Sequence, residues 1–477
     1  MTTSNTKFVK STAALLIGPI MFFAALLLPQ GWFDFPARAA IGTVLWMAGW
    51  WITRPLHIAV TAMLPIVVNA LFDLIPMKQV ISQYASEIVV LLLGADLVSI
   101  TWSETGLDKR LSLKALSLIG PSVKQQIAIW FLVSAGLSAF LPNVMVCAIL
   151  TPIAISMLTF LGEKDFANSE IAVVILLAIA WGSGIGGCGS PLGGAMNLVA
   201  INYIEQFIGQ EFMYIAWVKR LMPFLAILVA VNITYLCMIK TNVSHLRGTR
   251  EFFTKTYREL PAMRRGERIS LVLFLMPTLL AFIRPVYSDL LPALKPAYIF
   301  LMFGILAFMF YDEEGTTLLD WPAAERGVMW GMLLLFAGGL AAGQLITETG
   351  AAATVADLIA RFDLNGGLLT IAIFVVFTCL LAEVSSNTAA AAISVPIVLS
   401  ITQRLGLNPL PYIYITVVAF NSAYVLPLSV RAIPVGYGMD PKALMKHGVV
   451  LSMVTMTVIT LVGYLFLNYW PQFGSFA

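Results

Sequence analysis

The sequence predicts an all-α polytopic membrane protein with about 11 transmembrane helices and two re-entrant hairpins arranged as an inverted repeat. Three observations carry this reading. Of the 477 residues, 59% are hydrophobic and only 11% are charged, against roughly 25% charged residues in soluble domains; the mean hydropathy is +0.89. Apolar runs of about 20 residues, enough to cross ~30 Å of hydrocarbon as a helix, recur along the chain. Two blocks of sequence also reappear at one fixed offset.

The first apolar run, TAALLIGPIMFFAALLLPQGWF from Thr12, is too long and wrongly flanked for a cleaved signal peptide and reads as a retained span. Further spans are expected at 38–52, 55–77 and 87–105, followed by two shorter runs at 124–141 and 144–161. Then come 170–202 (interrupted), 215–239, 268–284, 293–311 and 327–347. A second pair of short runs, 366–382 and 388–402, precedes 411–438 (interrupted) and 447–470. Each short pair is too short for two crossings and fits a hairpin that enters and leaves on one side, which is allowed where irregular backbone is buried in protein or lines a cavity.

Charge sets the sidedness. The segment from Lys240 to Arg268 carries eight Lys and Arg residues and is expected in the cytoplasm. Counting back through the spans places Lys7 and Lys10 inside, and the same count puts 107–114 and 440–448 inside. The expected topology is multi-pass in the cytoplasmic (inner) membrane, N-terminus inside and C-terminus outside.

The repeat is anchored by Glu-Thr-Gly at 104–106 and 348–350, an offset of 348 − 104 = 244. At that offset PNVMVCAILTPIAIS (142–156) aligns with SNTAAAAISVPIVLS (386–400), matching Asn143 with Asn387 and Pro152 with Pro396. The topology gives the copies opposite orientation, and inverted repeats with interrupted helices characterise secondary transporters.

Other classes find little support. Cys147, Cys188, Cys237 and Cys379 fall in apolar segments without metal or disulfide spacing, and His57, His245 and His447 are not spaced as ligands. The net charge of +3 is too small and dispersed for a nucleic-acid partner. The Gly-rich run GSGIGGCGSPLGG follows an apolar span rather than a strand, so it reads as a helix interruption, not a nucleotide loop. No nucleophile–base pair suggests an enzyme. An anion channel is the remaining alternative, although no filter motif is visible.

Candidate site residues cluster at the hairpin turns and helix breaks. Ser385, Ser386, Asn387 and Thr388 occupy the second turn, where capping of the following helix is the plainer reading and a pocket at membrane depth the functional one. Asn143 is the repeat partner of Asn387, and the interrupted segments 181–197 and 420–438 stand at corresponding stages of the two copies. Together they can form one pocket in which helix N-termini attract anions and free carbonyls with hydroxyls hold a small cation such as sodium. Arg431, in the second break, is open to two readings: an internal pair with Glu383, or a fork that grips a substrate carboxylate. Asp96 and Glu104 are read as helix-end residues.

SSNTAAAAISVPI resembles the Ser-Asn-Thr hairpin signature of the divalent anion:sodium symporter family, and LDKRLSLKALSLIG, the Gly-rich break and FMYIAWVKRLMPF extend the similarity over nearly the whole chain. The resemblance implies an elevator-type homodimer that carries dicarboxylates, tricarboxylates or sulfate, commonly driven by sodium. It implies a scaffold at 1–86, a first transport repeat at 87–214, connecting scaffold helices at 215–326, a second transport repeat at 327–446 and a scaffold helix at 447–477. By the same resemblance the substrate meets Asn143, Ser190, Asn197, Ser386, Asn387, Thr388 and Arg431. A cation is expected at Asn143, Gly189, Ser385, Asn387 and Ser429. Where the family has serine and threonine in the first hairpin, this chain has Pro142 and Val144. That loss of hydroxyls, with the added guanidinium of Arg431, points to fewer coupled sodium ions, to sodium-independent exchange of one dicarboxylate for another, or to an altered substrate such as a sulfonate or a tricarboxylate.

Overall fold

The computed structural model describes residues 2–117, 120–246, 248–351, 354 and 364–475, with side chains from residue 14 onward. Among the described residues the regular elements are helices, and β pairing is confined to two isolated bridges.

The first span, α1 (Thr2–Leu26), packs along α2 (Phe35–Thr53). The third expected span is broken into α3 (Ile58–Thr61) and α4 (Leu64–Phe72). Pro65 lies in the first turn of α4, where a missing N–H costs nothing. A short α5 (Met77–Ser82) leads into α6 (Glu87–Thr105), and α7 (Leu107–Leu116) follows after a turn at Gly106. The first hairpin is α8 (Val123–Ser138) and α9 (Asn143–Phe160), and the interrupted span after it is α10 (Glu170–Gly186) and α11 (Ala195–Ile208).

Beyond it come α12 (Tyr214–Met238), α13 (Thr249–Arg258), α14 (Arg265–Phe282) and α15 (Arg284–Tyr287). Next are α16 (Pro296–Ala307), α17 (Trp321–Gly327) and α18 (Trp330–Glu348). The second hairpin is α19 (Leu368–Val384) and α20 (Asn387–Arg404); α21 (Pro409–Phe420), α22 (Ala432–Gly436) and α23 (Pro441–Tyr469) complete the chain.

The repeat is visible in the elements themselves. Helices α6 and α18 each have 19 residues, and α9 and α20 each have 18. Both α9 and α20 begin on an asparagine and carry an internal proline, Pro152 and Pro396.

The helices pack as two groups. In one, α6 lies against α14 and α16, and α18 against α2, α3 and α4. In the other, α8, α9 and α10 pack together and α19, α20 and α21 pack together, with α12 and α23 touching both hairpin-bearing parts. The groups meet chiefly where α18 lies on α20. Small residues permit the tightest crossings: a Cβ on Gly94 would stand 2.4 Å from the Leu301 backbone of α16, and one on Gly186 would stand 2.4 Å from the Ala135 backbone of α8. In lipid, where apolar surface gains nothing by leaving the solvent, such close backbone approach is what packs helices.

Among the described residues, six helices are long and apolar enough to cross a membrane, and other apolar helices are shorter, at 10–17 residues. The basic segment, expected as a loop, is partly folded: α13 packs on α7, which in turn lies against both arms of the first hairpin. Arg110 of α7 joins Glu267 of α14 at 2.7 Å, and both are largely buried. The hydrogen bond it donates to Glu267 holds the Arg110 guanidinium above its ordinary pKa range.

Candidate substrate site

Between the two helix groups lies a cavity of about 700 Å³. One wall is formed by the α2–α3 turn, α6 and the start of α18, and the other by both hairpin tips and both helix breaks. Of the residues singled out from sequence, Asn143, Ser386, Asn387, Thr388 and Ser429 line it. Gly189, Ser190, Asn197, Ser385 and Arg431 do not; they stand behind the wall.

The second tip is built by a cap. Ser386 precedes α20 with extended backbone, and its hydroxyl accepts the Ala389 N–H at 3.1 Å. That cap leaves the next two residues, Asn387 and Thr388, in the first turn, where backbone N–H groups lack intrahelical acceptors. Their side chains make no hydrogen bond with any described residue. The N-terminal ends of α20 and α9 both reach the cavity, and the dipoles of both helices favour an anion there. Ser429 adds a hydroxyl from the second break; it is exposed and held at φ 53, a conformation uncommon for a non-glycine residue.

The first tip is oxygen-rich. The Ser138 hydroxyl lies 2.8 Å from Asn143 Oδ1 and 2.7 Å from the Ser183 carbonyl, and Asn143 Nδ2 donates to the Gly184 carbonyl at 3.3 Å. One hydroxyl proton serves only one acceptor at a time, so the group holds more acceptor capacity than it satisfies. The Ser183 hydroxyl is buried without a partner among the described residues. Hard oxygen donors of this kind suit a small cation.

The second break is organised differently. Arg431 donates from Nε to the Leu426 carbonyl at 2.6 Å and from Nη1 to the Ala423 carbonyl at 2.8 Å, and Nη2 lies 3.6 Å from Glu383 Oε2. Glu383 also accepts the backbone N–H groups of Tyr424, Val425 and Leu426. Of the two readings open in the sequence, the geometry places Arg431 in the internal pair.

The residues behind the wall bind the breaks together. Ser190 donates to the Ala139 carbonyl of the first hairpin and accepts from Leu192 N–H at 3.1 Å. Asn197 Nδ2 donates to the carbonyls of Gly187 at 2.7 Å and Ser190 at 2.9 Å, while its Oδ1 accepts from Asn421 at 3.2 Å. Gly189 packs against Ala139 and Leu225, and the Ser385 hydroxyl turns back to the Leu381 carbonyl.

Ser138 and Asn421 also belong to this network but carry no local signal in an apolar stretch of sequence, and Asp96 is not the helix-end residue expected. Asp96 sits in the middle of α6 rather than at its end, lines the cavity, and accepts the Met329 N–H at 3.1 Å. Its position in the centre of an apolar span was the available clue.

A model of the citrate transporter family, CitMHS, matches residues 48–419 and also 297–472. The chain belongs to the citrate transporter family. Among similar proteins, the sodium-dependent dicarboxylate transporter SdcS of Staphylococcus saprophyticus is 27% identical over 477 residues, covering 96% of this chain and 91% of that protein. SdcS of Staphylococcus aureus is 28% identical over 472 residues, covering 94% and 90%. The YdaH transporter of Alcanivorax borkumensis shares the fold at a TM-score of 0.53 with 12% identity, over 83% of this chain and 89% of that one. This member of the family is accordingly a multi-pass membrane transporter and not an enzyme.

Proposed function

We propose that the protein is a secondary active transporter of small organic dianions, of the C4-dicarboxylate kind, coupled to sodium at the first hairpin only. The similar proteins named sodium-dependent dicarboxylate transporters support the substrate class and the ion. The observation that carries the reading is the asymmetry of the tips. Two helix N-termini and the unpartnered Asn387 and Thr388 offer donors to a carboxylate, and Ser138, Asn143 and Ser183 offer oxygens to a cation. At the second break the carbonyls of Ala423 and Leu426 already receive the guanidinium of Arg431, which supplies fixed positive charge where a second cation would bring its own.

That same guanidinium favours a second reading, sodium-independent exchange of dicarboxylates. Uptake of labelled succinate into proteoliposomes separates the two. Symport requires an inward sodium gradient with empty vesicles; exchange requires only succinate inside. Uptake under neither condition, with other dicarboxylates and citrate equally inert, overturns the proposal.

The packing supports an elevator in which the hairpin-bearing group moves against α18 and its neighbours. It also supports drawing α12 and α23 into the moving body, because both pack on the hairpin group; the boundaries expected from sequence assigned them to the scaffold. Eleven crossings, an inside N-terminus, an outside C-terminus and a homodimer complete the proposed arrangement. In it the α2–α3 turn is cytoplasmic, and the exposed Arg54, Leu56 and His57 on the cavity rim correspond to an inward-open state.

A further inference from the structure

The two walls of the cavity differ in charge. The hairpin wall presents only neutral polar groups, since Arg431 is turned to Glu383 and backbone carbonyls behind it. All the ionisable side chains that line the cavity, Arg54, His57 and Asp96, belong to the opposite wall.

Two of the three are committed. Asp96 accepts the Met329 N–H at the start of α18, where the helix dipole offsets its charge. His57 caps α3 by accepting the Ala59 N–H at 3.3 Å, with its ring against Gly331. Arg54 is not: its guanidinium has no hydrogen bond or ion pair with any described residue, Asp96 included, and the residue is exposed.

The chain holds Arg54 there at a cost. It ends α2 at φ 50, ψ 48, with its N–H bonded to the Trp50 carbonyl. Pro55 follows, which disfavours helical conformation at the preceding residue, and a non-glycine side chain in the left-handed region is strained. A planar guanidinium without a partner, in a cavity flanked by Leu56, Phe140 and Met332, can take a carboxylate in a bidentate pair. Low-dielectric walls extend the reach of its field.

We propose that Arg54 forms a second anion subsite on the scaffold wall, which binds one carboxylate of a dicarboxylate between the cavity mouth and the hairpin tips. This rests on the dicarboxylate reading given above. Because Arg54 and the tips lie on different helix groups, the subsite is presented only while the cavity faces the α2–α3 turn. It therefore tunes affinity on that face of the membrane.

The test is equilibrium binding of radiolabelled succinate, and of monomethyl succinate as a monoanion of the same skeleton, to detergent-solubilised full-length protein at a constant, saturating sodium concentration. Arg54→Gln is expected to weaken succinate binding about tenfold and monomethyl succinate by less than about twofold. Arg54→Lys keeps most of the succinate affinity, and ~0.5 M chloride brings the wild type toward Arg54→Gln. Equal succinate affinity in wild type and Arg54→Gln overturns the subsite while leaving the dicarboxylate reading intact. An equal loss for both ligands, unrepaired by lysine, also overturns it and marks Arg54 as a structural turn residue. A wild type that binds neither ligand overturns the dicarboxylate reading, and the subsite with it.

Discussion

Asn387 and Asn143 hold the same place in the two hairpins under opposite circumstances. Asn143 is engaged by Ser138 and the Gly184 carbonyl, whereas the Asn387 side chain makes no hydrogen bond with any described residue and faces the cavity. An unpartnered polar side chain contributes little to stability and much to a ligand it meets. Asn387→Ala is therefore expected to abolish succinate uptake with the melting temperature moved by less than about 2 °C; wild-type uptake would remove Asn387 from the site. Ser138→Ala deletes one oxygen of the proposed cation group, so the sodium concentration for half-maximal uptake should rise about tenfold with a smaller effect on succinate, since hydroxyl ligands to a hard cation are individually weak but geometrically exacting. Arg431→Gln breaks a buried pair and strands Glu383, which costs ~3 kcal/mol or more. Losses in transport should be equal for succinate and monomethyl succinate, and accompanied by a fall in melting temperature. A loss confined to the dianion would instead put Arg431 on the substrate.

Helices were most legible where hydrophobic length alone defines them, and least where a short segment rests on its neighbours. The boundaries of α6, α8, α12 and α20 lie within a few residues of the apolar runs. By contrast, α7 and α13 were passed over, because charged, amphipathic segments carry no membrane signal and are stabilised by packing on each other and by pairs such as Arg110–Glu267. Arg110→Ala is expected to cost ~3 kcal/mol through the carboxylate it leaves buried, read as a lower melting temperature in detergent; an unchanged value would mean that water reaches Glu267. Gly94, where α6 meets α16, is also decided by neighbours: an added Cβ meets backbone rather than a side chain that can swing away. Gly94→Val should destabilise more than Gly136→Val, since Gly136 has open space where its Cβ would be.

For the whole molecule, the question is whether the contact of α18 with α20 is a joint or a sliding surface. A Cβ on Gly339 would stand 2.8 Å from the Ala392 Cβ, close enough for a disulfide after slight adjustment. In a background without the native cysteines, the Gly339→Cys, Ala392→Cys pair should arrest transport on oxidation and recover it on reduction; undiminished transport in the oxidised protein would show that the two groups do not part there. The membrane class, the repeat at a fixed offset and the two hairpins are legible along the chain, because they follow from hydrophobic length, charge sidedness and identity between copies, all of which are local or pairwise in sequence. Both asparagines are legible too, since a polar group in an apolar turn is conspicuous. Which polar groups face the cavity and which are consumed behind it depends on the packing of distant segments. Ser190, Asn197 and Arg431 look like ligands in one dimension, yet Ser190 bonds a carbonyl of the first hairpin, and Asn197 and Arg431 bond carbonyls of the helix breaks. Buried backbone must be satisfied before any side chain is free for a substrate, and which side chain does so depends on contacts between segments far apart in the chain.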